Sequence, residues 1–319
     1  MQGVNTIAAL AAAVSRKHSV AHLGRARLGH TRLGRKAGLM LAAVAAGLAL
    51  SLPAHADNPN KGKMFKVAAD VGLVPFFMRG TDGKMDGFSN DLTQEVAQRM
   101  GYDGAEVIDT PFSAIFAGLF SSRYDMVAAP TNTTQERAQQ MLFAEPYMAG
   151  GLSFLAKKGA TVNSLEDLKD KTIAVNNGSF SDRWLQENQE KYGYKIQRFN
   201  KNTDAVQAVA IGRAFANMSE TPLARYIATK TPALAPVYDM TTEANYAFAF
   251  RKDDTALRNR VDEVLECMKQ DGSLSKLHVK WFGTEPNAGT AMTVVFPGYG
   301  APDFPGYEPT EHTPDCSRP

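Results

Sequence analysis

The chain has 319 residues, enough for two modest domains with cores of their own. Its formal charge of +2 hides a split. Arg16, Lys17, Arg25, Arg27, Arg32, Arg35 and Lys36 lie in the first 56 residues, which hold no Asp or Glu, so without them the balance is −5. The remaining body is acidic, and no nucleic-acid partner is expected for it. Of six histidines, His18, His22, His30 and His55 fall in the same leading segment, leaving His278 and His312. That excludes a multi-histidine metal site and makes a Ser-His-Asp triad depend on one of two C-terminal residues. No metal and no cofactor is expected.

Residues 1–56 have the layout of an export signal: a long basic n-region, an apolar run from Gly38 to Leu52, and Ala54-His55-Ala56 ahead of Asp57. The apolar run is about 15 residues, where a membrane-spanning helix needs about 20. Cleavage after Ala56 and a soluble periplasmic product are therefore expected, with an uncleaved anchor as the alternative. The true start could also lie downstream of Met1. Cys267 and Cys316 are the two cysteines, and in an oxidising compartment they leave open either a bridge or two thiols.

Met64–Asp70 alternates apolar and polar residues and reads as a strand. A turn at Thr81-Asp-Gly-Lys84 precedes a helix with Leu92, Val96, Ala97 and Met100 on its apolar face, ended by Gly101. Thr110-Pro111-Phe112 enters a second helix with Ile115, Phe116, Leu119 and Phe120 inward. Asp125–Tyr147 then gives a short strand, a polar elbow, a helix and another short strand. Met148–Ala156 is an extended crossing that carries two glycines, and Ser164–Lys171 is a short capped helix. Thr172–Val175 is a strand, a glycine turn opens a helix that ends at Gly193, and a helix over Asp204–Ile211 turns Val206, Val209 and Ala210 inward. Ala214–Glu220 and Tyr246–Phe250 are further strands, Thr255–Asp271 is a long helix, and Glu285–Pro319 is a Pro/Gly-rich tail without core periodicity.

The elbow carries the chemistry. Thr133 and Thr134 can cap the helix there, and Glu136 in its first turn suits the macrodipole. Arg137, one turn in, can swing back over the strand end beside free backbone N–H groups, an arrangement that suits a carboxylate. The alternative is a solvated arginine on an exposed helix.

Ser122-Arg-Tyr-Asp125, Thr134-Gln-Glu-Arg137 and Phe143-Ala-Glu-Pro-Tyr147 resemble the run of the family 3 periplasmic solute-binding proteins, which bind amino acids for ABC importers. The resemblance extends to Val74-Pro-Phe-Phe77, Gly87-Phe88, Gly178-Ser179, and Asp271-Gly-Ser-Leu through Trp281-Phe-Gly283, nearly the whole body. It implies an α/β, two-lobe, type II periplasmic binding fold, each lobe a mixed five-stranded sheet flanked by helices, joined by two interlobe strands. Lobe one would take 57–148 and 250–285, lobe two 149–249 with Met148–Ala156 and Tyr246–Phe250 as the outgoing and returning hinge strands, and 286–319 would be an extended tail.

Residue by residue, the resemblance places Arg137 and the Asn132 amide on a ligand carboxylate, with Pro130 at the same elbow. Phe76 and Phe112 would form aromatic walls, and Asp70 and Leu73 the pocket mouth. The Ser179 and Phe180 amides would close from the second lobe, and Glu220 would take the α-ammonium. Here the chain departs from the family pattern: Glu220 stands where an Asp is usual, Phe215 replaces another Asp, Asn132 a Thr or Ser, and Phe180 a hydroxyl residue. These departures leave the carboxylate side of the site intact and alter the ammonium side. The implied function is capture of an amino acid or related small carboxylate by a monomer that serves an ABC transporter permease, without enzymatic activity. An enzyme resembling periplasmic cyclohexadienyl or arogenate dehydratases is the alternative, with Glu220 as general acid. A sensor presenting its closed form to a membrane receptor would share every site residue.

Overall fold

The computed structural model describes residues 58–317, so the expected leader and its cleavage site lie outside the described residues. The chain runs through β1 (Met64–Ala69), β2 (Met78–Arg79), β3 (Met85–Asp86), α1 (Phe88–Arg99), β4 (Gly104–Asp109) and α2 (Phe112–Phe120). It continues through β5 (Met126–Asn132), α3 (Gln135–Gln140), β6 (Leu142–Phe143), β7 (Met148–Ala149) and β8 (Leu152–Lys157). After a 3-10 turn at Leu165–Leu168 come β9 (Thr172–Asn176), α4 (Phe180–Tyr192), β10 (Lys195–Phe199), α5 (Asn202–Ala210), β11 (Ala216–Glu220) and α6 (Thr221–Lys230). The last elements are β12 (Leu234–Met240), β13 (Asn245–Phe250), α7 (Thr255–Gln270) and α8 (Ser273–Phe282).

Two mixed sheets result, apart from the small β2–β3 hairpin. The first has the order β4-β1-β5-β13-β6, with β7 pairing along β13, and the second the order β10-β9-β11-β8-β12. In each, three neighbouring strands pair in parallel and a single strand, β13 in the first sheet and β8 in the second, runs against all the others. Helices cover the faces, so the central strands read as near-continuous apolar runs; all seven residues of β5 are buried. Each sheet thus anchors one lobe, and the carboxyl ends of β1, β5, β9, β10 and β11 bring loops to the gap between them. In sheets of this kind that is where ligands bind.

Several expectations change on folding. Tyr246–Phe250 is not an interlobe strand: β13 pairs with β5, β6 and β7 inside the first sheet, and Tyr246 to Phe250 are all buried there, so 245–249 belong to lobe one. The crossings are shorter, at Gly150-Gly151 and at 241–244, where the Gly150 amide donates to the Ala244 carbonyl at 3.1 Å. Gly150 is required there, because a Cβ would collide with that carbonyl. Phe120 is 44% exposed at the end of α2 rather than inward. On α5 the buried positions are Ala205, Ala208 and Val209, a small rotation from the face that sequence periodicity picks out.

The tail is tied down. Cys267 and Cys316 form a disulfide, with 5.5 Å between their Cα atoms. Arg258, fully buried on α7, donates to the Gly306 carbonyl at 2.9 Å and to Glu308 Oε1 at 2.8 Å. His312 stacks on Tyr299, centroids 3.8 Å apart, with Nε2 3.0 Å from Glu266 Oε1. A buried arginine requires acceptors on every side, and the tail supplies those that α7 lacks. His278 takes a local role, its Nδ1 lying 2.7 Å from the Thr284 carbonyl at the end of α8.

Candidate ligand-binding site

The strand β5 ends at Asn132, and Thr134 caps α3 by accepting from the Arg137 amide at 3.2 Å. This cap sets the helix so that the Arg137 side chain turns back, and its Nη1 donates to the Asn132 carbonyl at 3.0 Å. The guanidinium lies over two rings, 5.5 Å from the Phe112 centroid and 5.2 Å from that of Phe116. Phe112 and Phe116 are themselves edge to face, and they form the apolar bed of a desolvated cation. No carboxylate among the described residues lies within ion-pairing distance of Arg137. Burial pulls its pKa down to about 10, against the opposing pull of Glu220.

Glu220 comes from the other lobe, at the end of β11 and the N-cap of α6, where Thr221-Pro222 opens the helix. It is 9% exposed. Burial raises its pKa, while its own backbone, Arg137, Ser181 and Asn132 pull it down. The Asn132 carboxamide reaches it across the lobes, Nδ2 to Oε1 at 3.4 Å. A half-buried cation and a buried anion therefore face the cleft from opposite lobes, without a direct ion pair between them. Burying charges in this way is costly unless a partner completes them.

Leu73, Phe112, Pro130, Ser179 and Glu220 line one small cavity together with Asn176, Ser181, Asn202, Met218 and Ser219. Its free volume of about 10 Å³ holds roughly one water, so a solute enters only as the lobes part. Arg137 lines an adjoining hollow of about 220 Å³ with Phe116, Gly178, Ser179 and Asp182; Ser179 faces both spaces. On the outer rim Arg183 of α4 pairs with Glu136 of α3 across the gap.

Three expected residues, Phe76, Ser179 and Asp70, sit differently. Phe76 is fully buried, edge to face with Phe88 and Tyr246 and tilted against Phe282, so it is core of lobe one rather than a pocket wall; Leu73 provides the apolar surface instead. The Ser179 amide is already used, donating to the Asn176 carbonyl at 3.2 Å, and its hydroxyl caps α4 by accepting from the Asp182 amide at 3.0 Å. The Phe180 amide opens α4 and has no acceptor within the helix, while its ring packs on the core of lobe two. Asp70 is not an open mouth residue. It is fully buried and accepts from the Phe112 amide, from Asn176 Nδ2 and from Lys201 Nζ.

Sequence reasoning did not single out Asn176, Lys201, Asn202, Ser181, Met218 and Ser219. The signal that would have found most of them is topological: they lie at or just beyond the carboxyl ends of the second lobe's parallel strands.

The profile of bacterial extracellular solute-binding proteins, family 3, matches residues 65–284. The L-cystine-binding protein TcyJ of Escherichia coli (strain K12) is 29% identical over 272 residues, 83% of this chain and 98% of that protein. The arginine-binding extracellular protein ArtP of Bacillus subtilis (strain 168) is 30% identical over 253 residues, 77% of this chain and 98% of its own. Among solved structures, an ancestral arginine-binding protein bound to arginine superposes with a TM-score of 0.66 at 30% identity, covering 69% of this chain and 98% of that one. An ancestral amino acid-binding protein described as a precursor of cyclohexadienyl dehydratase gives a TM-score of 0.62 at 33% identity, with 69% and 95% covered. With its two-lobe type II architecture and a matched region spanning both sheets, the chain belongs to the bacterial extracellular solute-binding proteins, family 3.

Proposed function

We propose that this chain is the periplasmic receptor of an ABC importer and captures an amino acid in the cleft between its lobes, delivering it to the transporter permease as a monomer. Arg137 takes the α-carboxylate, with the Asn132 and Phe180 amides as further candidate donors, and Glu220 takes the α-ammonium. The observation that carries this reading is the pair of opposite charges, Arg137 and Glu220, which have no counter-ion within ion-pairing distance and line two adjoining spaces that share Ser179. A zwitterion supplies the missing anion to one and the missing cation to the other. Relatives named for binding L-cystine and arginine, and a probable amino-acid ABC transporter-binding protein of Haemophilus influenzae at 29% identity, support the same assignment. Export follows from the expected leader and from the family. The test is isothermal calorimetry over the proteinogenic amino acids with small carboxylates alongside: binding of an amino acid, lost on removal of either its carboxylate or its amine, is expected.

One observation favours a second reading. Burial raises the Glu220 carboxyl, as a general acid requires, so dehydration of a cyclohexadienyl acid held by Arg137 is chemically accessible. Aromatic product from prephenate or arogenate would establish that activity, and its absence at high protein concentration would remove it.

A further inference from the structure

Asp70 is the other buried carboxylate beside the cavity, and it is fully engaged. Oδ2 accepts from Asn176 Nδ2 at 2.9 Å and from the Phe112 amide at 3.2 Å, and Oδ1 from Lys201 Nζ at 2.9 Å. Lys201 comes from lobe two, just ahead of α5, and its ammonium also reaches Asp109 Oδ1 at 2.6 Å. The protein's own cation thus fills the place where a ligand's cation would find its counter-charge.

On the cavity wall, beside a Ser219 hydroxyl that also lacks a partner, two asparagines are each hydrogen-bonded at one end of the carboxamide and left open at the other. Asn176 gives its Nδ2 to Asp70, so its buried Oδ1 faces away without a donor. Asn202 accepts from Asn217 Nδ2 at 3.3 Å through Oδ1, so its buried Nδ2 has no acceptor. Asn176 is 3% exposed and Asn202 1%, so both open atoms lie in the closed interior of the cleft and away from bulk solvent. One open acceptor and one open donor, both neutral, match a group that carries a donor and an acceptor itself.

Building on the amino-acid reading above, we infer that this cleft selects amino acids with a neutral, hydrogen-bonding side chain, of the carboxamide class, and rejects cationic ones. Lys201 neutralises Asp70 while Asn176 Oδ1 and Asn202 Nδ2 stand open to the ligand. An arginine or lysine side chain entering here would displace Lys201 or be buried without an anion, and either is unfavourable. An anionic side chain finds no unpaired cation, since Lys201 is shared by two carboxylates. A carboxamide satisfies both asparagines, and an aliphatic side chain leaves them unpaired, the situation in which hydrogen-bonding sites discriminate most strongly.

Calorimetry of the full mature protein with L-glutamine, L-asparagine, L-alanine, L-lysine and L-arginine tests this directly. An amide ligand should bind at least about tenfold tighter than arginine, lysine or alanine. Lys201→Met, checked for folding by its thermal transition, should move the arginine-to-glutamine affinity ratio toward arginine by at least about tenfold. Asn202→Leu should narrow the preference for glutamine over alanine. If wild-type protein prefers arginine or lysine, the inference is overturned and the amino-acid reading stands. An unmoved ratio in a folded Lys201→Met protein overturns it likewise. If Lys201→Met does not fold, the wild-type ranking decides. Failure of all five ligands to bind overturns the inference, and the reading beneath it falls with it only if the remaining proteinogenic amino acids fail too.

Discussion

Arg137 and Glu220, on opposite lobes, are linked through one residue: the Asn132 carbonyl accepts from Arg137 Nη1 at 3.0 Å, and the Asn132 carboxamide donates to Glu220 Oε1 at 3.4 Å. Asn132 therefore holds the two charges in register while keeping them from pairing with each other. A direct ion pair would have neutralised both groups, whereas through this relay each charge is left without a counter-ion in the cleft.

Replacing Glu220 by Gln should weaken binding of an amino acid by about 2 kcal/mol, the scale of a charge-assisted hydrogen bond, and have little effect on the des-amino analogue. Because burial raises the Glu220 pKa, the carboxylate is protonated at a higher pH than an ordinary glutamate. Wild-type affinity should therefore fall on acidification sooner than an exposed glutamate would predict, and Glu220→Gln should abolish that slope. Calorimetric titrations across a pH series measure both.

Arg137 is legible from the residues themselves, whereas Glu220 is placed by the family resemblance; each sits where a strand meets a helix. Arg137 follows a capping threonine, and Glu220 ends an apolar strand ahead of Thr221-Pro222. Phe76 was misplaced because an aromatic after proline looks alike in a core and in a wall; only the neighbours Phe88, Tyr246 and Phe282 decide. Lys201 and Asn202 went unread because their significance lies in contacts with Asp70 and Asn217, which no local pattern encodes. The strand at Asn245–Phe250 was found, but its pairing partner was not: alternation reveals a strand and is silent on which sheet it joins.

The disulfide closes a separation of 49 residues, from Cys267 to Cys316. On the loop-entropy account, opening it should cost about 4 kcal/mol of stability. Cys316→Ser should lower the thermal transition by several degrees, and reductant should do the same to wild type while leaving the variant unchanged. Ligand affinity should be nearly constant, since the tail packs on α7, away from the cleft.

Glu266 is 1% exposed under the tail, and burial with the neighbouring Glu145 and Asp262 raises its pKa to about 8, opposed by Lys269. A glutamate with a raised folded pKa stays protonated when folded while the unfolded chain has already ionised. Its contribution therefore favours folding less and less as pH rises from the ordinary glutamate range to about 8, and levels off above that. Glu266→Gln should flatten this decline and be more stable than wild type at pH above 8 by at least about 1 kcal/mol, at one pKa unit per ~1.4 kcal/mol. Urea melts between pH 5 and 9 would show it.

At the crossing, Gly150→Ala sets a methyl against the Ala244 carbonyl, which is backbone and cannot swing aside. A loss of about 1–3 kcal/mol is expected. Small-angle scattering with and without ligand should also show a smaller change in dimensions than wild type, because the two crossings would no longer move together.

The central claim is that the Arg137 guanidinium receives the negative end of the solute. Calorimetry of Arg137→Ala with the amino acid that wild type binds most tightly tests it most directly. The expected result is a loss of about 3–5 kcal/mol, a fall in affinity of two orders of magnitude or more, with the thermal transition retained. A folded Arg137→Ala protein that binds the same ligand with wild-type affinity would contradict the account.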